Sequence, residues 1–131
     1  IEGQFPNYQR VIPAEQKYKV KVGIQELLEA IKRVSLLVEQ KSKRIYLEMS
    51  EGRLVLSSEE SDLGVAKEEM LCEYEGPENV IALNYVYLLE PLRVMEGSTV
   101  QIEYTEPNRA LTIRPTESTE YFHIVMPMQL D

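Results

Sequence analysis

The sequence predicts an α+β domain: two helices packed on antiparallel sheets, built as two consecutive β-α-β-β-β units. Three observations predict it: a strictly alternating run, two stretches of helical periodicity, and an order of elements that repeats at mid-chain. At 131 residues the chain has the length of one domain, enough to bury a core without disulfides.

Residues 1–16 read as a connector punctuated by Pro6 and Pro13. KYKVKV (17–22) then sets Tyr18, Val20 and Val22 to one side and three lysines to the other, the mark of a half-buried strand. In GIQELLEAIKRVSLLVEQ (23–40) the apolar residues Ile24, Leu27, Leu28, Ile31, Val34 and Val38 share one helical face. RIYLEM and RLVLSS, separated by Ser50-Glu51-Gly52, predict a hairpin. LGVAKEEMLCEYE predicts a longer strand with Val65, Met70, Cys72 and Tyr74 together and a bulge or bend near Lys67. After the turn EGPEN, VIAL leads to Asn84, a residue suited to cap YVYLLEPLRVM. That second helix carries the stripe Tyr85, Leu88, Leu89, Leu92 and Met95, and Pro91 is expected to kink or shorten it. TVQIEY, ALTIRP and YFHIVM supply three last strands.

Lys and Arg number 14 against 22 Asp and Glu, a net charge of −8. That argues against broad attraction to nucleic acid, while leaving room for one basic face. No stretch approaches the roughly 18 apolar residues of a membrane span. Cys72 is a single cysteine and no N-glycosylation sequon occurs, which suits a reducing, cytoplasmic setting. The chain opens on Ile1, not Met, and is expected to be a piece of a longer protein or a processed one.

Catalytic readings fail on spacing. His123 alternates within a terminal strand with no nucleophile motif nearby, and reads as a packed or surface histidine. Cys72 reads as a small core hydrophobe. SSEESD (57–62) lacks the glycine and spaced ligands of a calcium loop, and reads as a solvated loop or a charged contact edge. With no glycine-rich phosphate loop or zinc spacing, no catalytic residue, metal ligand or cofactor is predicted. The chemistry expected is binding.

Three features exceed what a core requires. Leu36 and Leu37 lie about 140° and 120° from Ile31 around the first helix, outside its stripe. Either the helix ends early and they fold inward, or they contact a second protomer. Lys32 and Arg33 belong to a solvated face or brush phosphates weakly. The chain closes on HIVMPMQLD, apolar where a free terminus is usually polar, so that tail is either tucked into a core or offered to something. Tyr87, off the second stripe beside Asn84, would form a groove with such a tail.

FPNYQRVIP (5–13), ALNYVYLLEPL (82–92) and IVMPMQL (124–130), in that order, resemble motifs of the third domain of the bacterial DNA polymerase III beta subunit, the sliding clamp. The resemblance covers essentially the whole chain. It implies a DNA-clamp domain III over residues 13–131, with 1–12 ending the linker from a preceding domain. It further implies a non-catalytic processivity factor whose head-to-tail homodimer encircles duplex DNA. Position by position it implies a groove for clamp-binding peptides of the Gln-Leu-x-Leu-Phe type, carried by polymerase subunits, the clamp loader and repair polymerases. Its wall would be Pro6, Arg10, Val11, Asn84, Tyr87, Ile124, Val125, Met126, Pro127 and Met128, with Ala110 a further member. Leu36, Leu37 and Glu68 would close the ring, near Glu59, Glu60 and Asp62, and Lys32 and Arg33 would face DNA.

The chain departs from the family pattern at Gln129, Ser42, Asp131 and Lys67. Gln129 replaces a common Arg and removes one cationic handle. Lacking the opposing domain, the isolated chain is expected to be monomeric. Two rivals stand beside this: a stand-alone α+β peptide-binding adaptor unrelated to DNA, and a small enzyme using the acidic cluster.

Overall fold

Alternation at the start of the chain becomes strand β1 (Tyr18–Gly23), with Val20 and Val22 buried and Lys19 exposed. The computed structural model describes residues 16–38, 43–58, 64–95, 97–116 and 122–128. Pro6, Arg10, Val11, Ser42, Glu59, Glu60, Asp62, Gln129 and Asp131 therefore lie outside the described residues.

Helix α1 (Ile24–Val34) buries Ile24, Leu27, Leu28, Ala30, Ile31 and Val34, the predicted stripe without Val38 and with one added alanine. No side chain caps it; the Ile24 amide donates to the Ser98 carbonyl at 2.9 Å, so a distant loop satisfies that donor. The α-helix ends at Val34 and a 3₁₀ turn takes over at Ser35–Leu37, the Ser35 hydroxyl donating back to the Lys32 carbonyl at 2.9 Å. The helix thus ends early, the first of the two alternatives, but only part of the apolar pair turns inward. Leu37 is half-buried, Val38 is buried, and Leu36 is 78% exposed.

Strands β2 (Arg44–Ser50) and β3 (Arg53–Ser58) form the predicted hairpin, with Gly52 at φ +75° in its two-residue turn. The long strand expected after them is shorter. It runs as β4 (Lys67–Leu71), beginning where a bulge was predicted, and Val65 is exposed. The chain then leaves β3: Cys72 donates to the Gly52 carbonyl, and Glu73 exchanges both backbone bonds with Lys21 of β1. Competition from a second sheet ends the strand, which no periodicity could reveal.

Strand β5 (Asn79–Asn84) passes directly into helix α2 (Tyr85–Val94), and β6 (Thr99–Tyr104), β7 (Leu111–Pro115) and β8 (His123–Val125) follow. The Val86 amide donates to Asn84 Oδ1 at 2.9 Å, the predicted cap. Pro91 does not shorten α2; the helix continues to Val94 with Pro91 buried. Packing on Leu88, Leu89 and Leu92 outweighs the lost helical bond.

The order is β-α-β-β-β twice, as the sequence predicted, but the pairing is exchanged. One antiparallel sheet runs β1-β6-β7-β8 and the other β4-β3-β2-β5. Each unit thus lends its first strand to the other unit's sheet. Two isolated bridges join the sheets' edges: Lys21 with Glu73, and Met128, whose amide donates to the Ala82 carbonyl at 2.7 Å.

Where the sheets converge, a polar chain crosses the core. The Tyr74 hydroxyl donates to the Pro77 carbonyl at 2.6 Å, so it accepts from Tyr104 at 2.6 Å, which accepts from Asn79 Nδ2 at 2.9 Å. Burial, with the Tyr104 hydroxyl second, pushes the Tyr74 phenol well above its usual pKa. Gly76 lies against this cluster: a Cβ there would meet Tyr74 Oη at 2.8 Å and Tyr18 Cδ1 at 2.9 Å. Gly76→Ala is therefore expected to destabilise by roughly 1–3 kcal/mol, as overpacking does. An unchanged urea midpoint would show that the cluster yields freely.

Candidate functional site

The tail is neither wholly tucked in nor wholly free. Strand β8 pairs with β7, Val125 opposite Leu111 and Ile124 opposite Thr112, so Val125 enters the core at 4% exposure. Three residues on, Met128 is fastened to Ala82 at the edge of the other sheet. Between these pins Met126 is 62% exposed, and Pro127, with no N–H and a fixed φ, removes conformational freedom beside it. A flexible, polarisable side chain on a fixed backbone is well suited to docking varied apolar ligands.

Facing the tail is α2. The Tyr85 amide donates to the Lys43 carbonyl at 2.9 Å, adding to the Asn84 cap, and together they fix the helix start. Tyr87, 57% exposed, joins Glu90 and Pro91 on one helical face. With His123, Ile124, Val125 and Met126 they line a cleft of about 430 Å³. Mostly apolar walls of this size suit a few side chains of a bound segment.

Of the groove residues expected from sequence, Tyr87, Ile124, Val125 and Met126 meet in this cleft. Pro127 and Met128 continue along its tail wall, half-buried. Asn84 and Ala110 do not line it. Asn84 spends its carbonyl oxygen on the helix cap, and the Ala110 carbonyl accepts from Gln16 Nε2 at 3.1 Å. That bond has a second consequence. Gln16, 4% exposed, also bonds Thr112 and Thr105, so its side chain is fastened beside Leu111, the partner of Val125. Glu90, Pro91 and His123 were missed as lining residues. Positions 87, 90 and 91 stand at i, i+3 and i+4, so the helical pair was readable once Tyr87 was chosen.

Of the second expected surface, Leu36, Leu37 and Glu68 are among the described residues. Glu68 lies on β4, an edge strand, and its carboxylate receives Arg33 Nε and Nη2 at 3.0 Å each. This fork holds the Arg33 guanidinium above its ordinary pKa and ties the last turn of α1 to β4. Arg33, expected to face DNA, is committed to an acid 35 residues away, while Lys32 remains exposed. Leu71, 80% exposed, and Val65, 47% exposed, add apolar surface near Glu68 in sequence.

Nothing described points to catalysis. Burial raises the Cys72 thiol pKa, the reverse of an activated nucleophile. No group of acids, His and Cys suited to a metal occurs among the described residues. A broader hollow of about 590 Å³ sets Lys17, Lys19 and Lys21 against Glu51, Glu73 and Glu75, so its charges offset each other.

A family model for the C-terminal domain of the DNA polymerase III beta subunit matches residues 9–129. A beta sliding clamp of Treponema pallidum is 55% identical over 135 residues, covering 100% of this chain and 36% of that relative. Among solved structures, a DNA polymerase sliding clamp from Pseudomonas aeruginosa, determined with ligand, matches with a TM-score of 0.90 at 31% identity. The match covers 99% of this chain and 36% of that one. A sliding clamp from Bartonella birtlesii bound to griselimycin matches with a TM-score of 0.88 at 25% identity, over 99% of this chain and 35% of that one. The chain thus spans little more than a third of the length of the relatives it matches.

The two ends of the tail wall should separate under mutation. Val125→Ala is expected to cost roughly 2 kcal/mol of stability, whereas Met126→Ala stays within about 0.5 kcal/mol. Chemical denaturation checks this; a Met126 cost equal to that of Val125 would mean that Met126 is structural.

Proposed function

The chain belongs to the sliding-clamp family, as its C-terminal domain, and from that premise we propose that it is the third domain of a ring-forming clamp. Residues 1–12 end the linker from the preceding domain and 13–131 form domain III. Two protomers joined head to tail encircle duplex DNA, and the ring confers processivity on a polymerase without catalysis of its own. Family membership disfavours a stand-alone adaptor and a small enzyme.

Charge supports retention by encirclement. The exposed face of α1 mixes Glu26 and Glu29 with Lys32, and the whole chain carries −8. Such a surface makes few phosphate contacts, so the ring slides instead of gripping. Lys32 is the cation best placed for a passing contact, and Arg33 acts mainly through Glu68. Leu36, Leu37 and the Glu68 edge strand form the ring-closing surface, with Leu71 as an added apolar group.

The observation that carries the docking role is the tail pinned at Val125 and Met128, with Met126 held out across from Tyr87. Clamp-binding peptides of polymerase subunits, clamp loader and repair polymerases fill the cleft with their apolar residues. Pro6, Arg10 and Val11 are proposed as further wall residues on the family resemblance alone. Asn84 serves by capping α2, and Ala110 by holding Gln16. The setting is the cytoplasm, where replication proceeds; no described helix is long and apolar enough to cross a membrane.

A Gln-Leu-x-Leu-Phe peptide should bind the full-length protein more tightly than the isolated chain, because the family's groove takes a second wall from the middle domain. Met126→Ala should weaken that binding roughly tenfold, about the effect of one buried docking side chain. Titration calorimetry checks both, and an unaffected Met126→Ala variant would remove the tail from the site. The double variant Leu36→Ala with Leu37→Ala should raise the dimer dissociation constant of the full-length protein at least tenfold. Sedimentation showing unchanged dimerisation would locate ring closure elsewhere.

A further inference from the structure

Pro91 is the seventh residue of the ten in α2. Proline has no N–H, so the carbonyl of Tyr87, four residues earlier, loses the donor that an α-helix would supply. Both residues line the tail cleft, and Glu90 lies between them. Glu90 is exposed, and its carboxylate makes no ion pair among the described residues. The helical wall therefore holds one charged acceptor, and in the same stretch a carbonyl without its helical donor. Opposite stand Ile124, Val125 and Met126, and among the described residues no lysine or arginine lines the cleft.

We propose that the segment docked in this cleft carries a lysine or arginine beside its apolar anchors, the cation meeting Glu90 and a ligand backbone N–H donating to the Tyr87 carbonyl. This rests on the docking role proposed above and specifies the chemistry of the partner. Charge complementarity carries it. The acid stands at the rim of a half-enclosed apolar cleft where water screens less than in bulk, and a chain at −8 draws basic segments to it. An acidic residue placed against Glu90 meets its repulsion directly. Selection among partners that share apolar anchors then falls to charge, since an apolar cleft with an adaptable methionine discriminates poorly by shape.

The test uses the full-length protein and synthetic Gln-Leu-x-Leu-Phe peptides with Lys, Gln or Glu placed singly at x or at either flank. At one of these positions the Lys peptide should bind roughly threefold more tightly than the Gln peptide, with the Glu peptide weaker still, as for a rim ion pair. The spread should collapse in Glu90→Gln and in about 1 M salt. Pro91→Ala restores a helical donor to the Tyr87 carbonyl and should weaken all three peptides alike, roughly threefold. Peptides that bind with no charge preference, or a preference that survives Glu90→Gln, overturn the proposed cation contact while leaving the docking role standing. Affinity unchanged by Pro91→Ala overturns the carbonyl contact. If even the Gln peptides fail to bind, the docking role falls and this inference with it.

Discussion

Exchange of first strands between the two repeats is the constraint on which the structure rests. Because β1 pairs with β6, and β5 with β2, neither repeat owns a complete sheet. Each helix follows directly on an exchanged strand: α1 grows from β1 and α2 from β5. Helix α2 therefore leaves one sheet while β8, the last described strand, closes the edge of the other. The cleft between α2 and the tail lies at the seam that this exchange creates, and the Met128–Ala82 bridge fastens the seam. A surface so placed is held by both sheets at once, which keeps Met126 in position without burying it.

Different kinds of interaction serve the seam and the core. Leu27, Ile31, Leu56, Leu83 and Leu88, all fully buried, supply the bulk of the stabilisation through lost apolar surface. The tyrosine chain from Asn79 to Pro77 adds direction: each hydroxyl has one donor and uses it, so the strand ends can meet in only one arrangement. The Arg33–Glu68 fork, largely exposed, contributes little stability but sets the geometry of the β4 edge. Core, junction and surface pair answer separately for stability, for arrangement, and for the presentation of an edge.

Much of this was legible in residue order. KYKVKV, the apolar stripe from Ile24, the Ser50-Glu51-Gly52 turn and the Asn84 cap are local signals; each became the kind of element it predicted, the helix ending one turn before Val38 and the turn closing at Ser50. Partner choice was not legible, because periodicity reports which face is buried and never against what. That is why the exchange of β1 and β5, the departure of Cys72–Tyr74 toward β1 and the pairing of Arg33 with Glu68 were all missed. Pro91 did not shorten α2 for a related reason: its local cost is fixed by chemistry, while the packing that outweighs it is tertiary. In the candidate site, Tyr87 stood off the α2 stripe and the apolar tail was unusual for a terminus, and motif resemblance joined the two. Glu90 and Pro91 were readable from their helical spacing to Tyr87, whereas the part of His123 emerged only from the cleft itself.

We propose that Met126, unlike the buried methionines, is a docking side chain. The five methionines of the chain make a built-in comparison, since Met49, Met70 and Met95 are buried in the core. Methyl NMR of the full-length protein with labelled methionine, titrated with a Gln-Leu-x-Leu-Phe peptide, reads all of them together. The account predicts a large shift at Met126, a smaller one at Met128 and none at Met49 or Met70. Shifts at the core methionines with Met126 unmoved would contradict it.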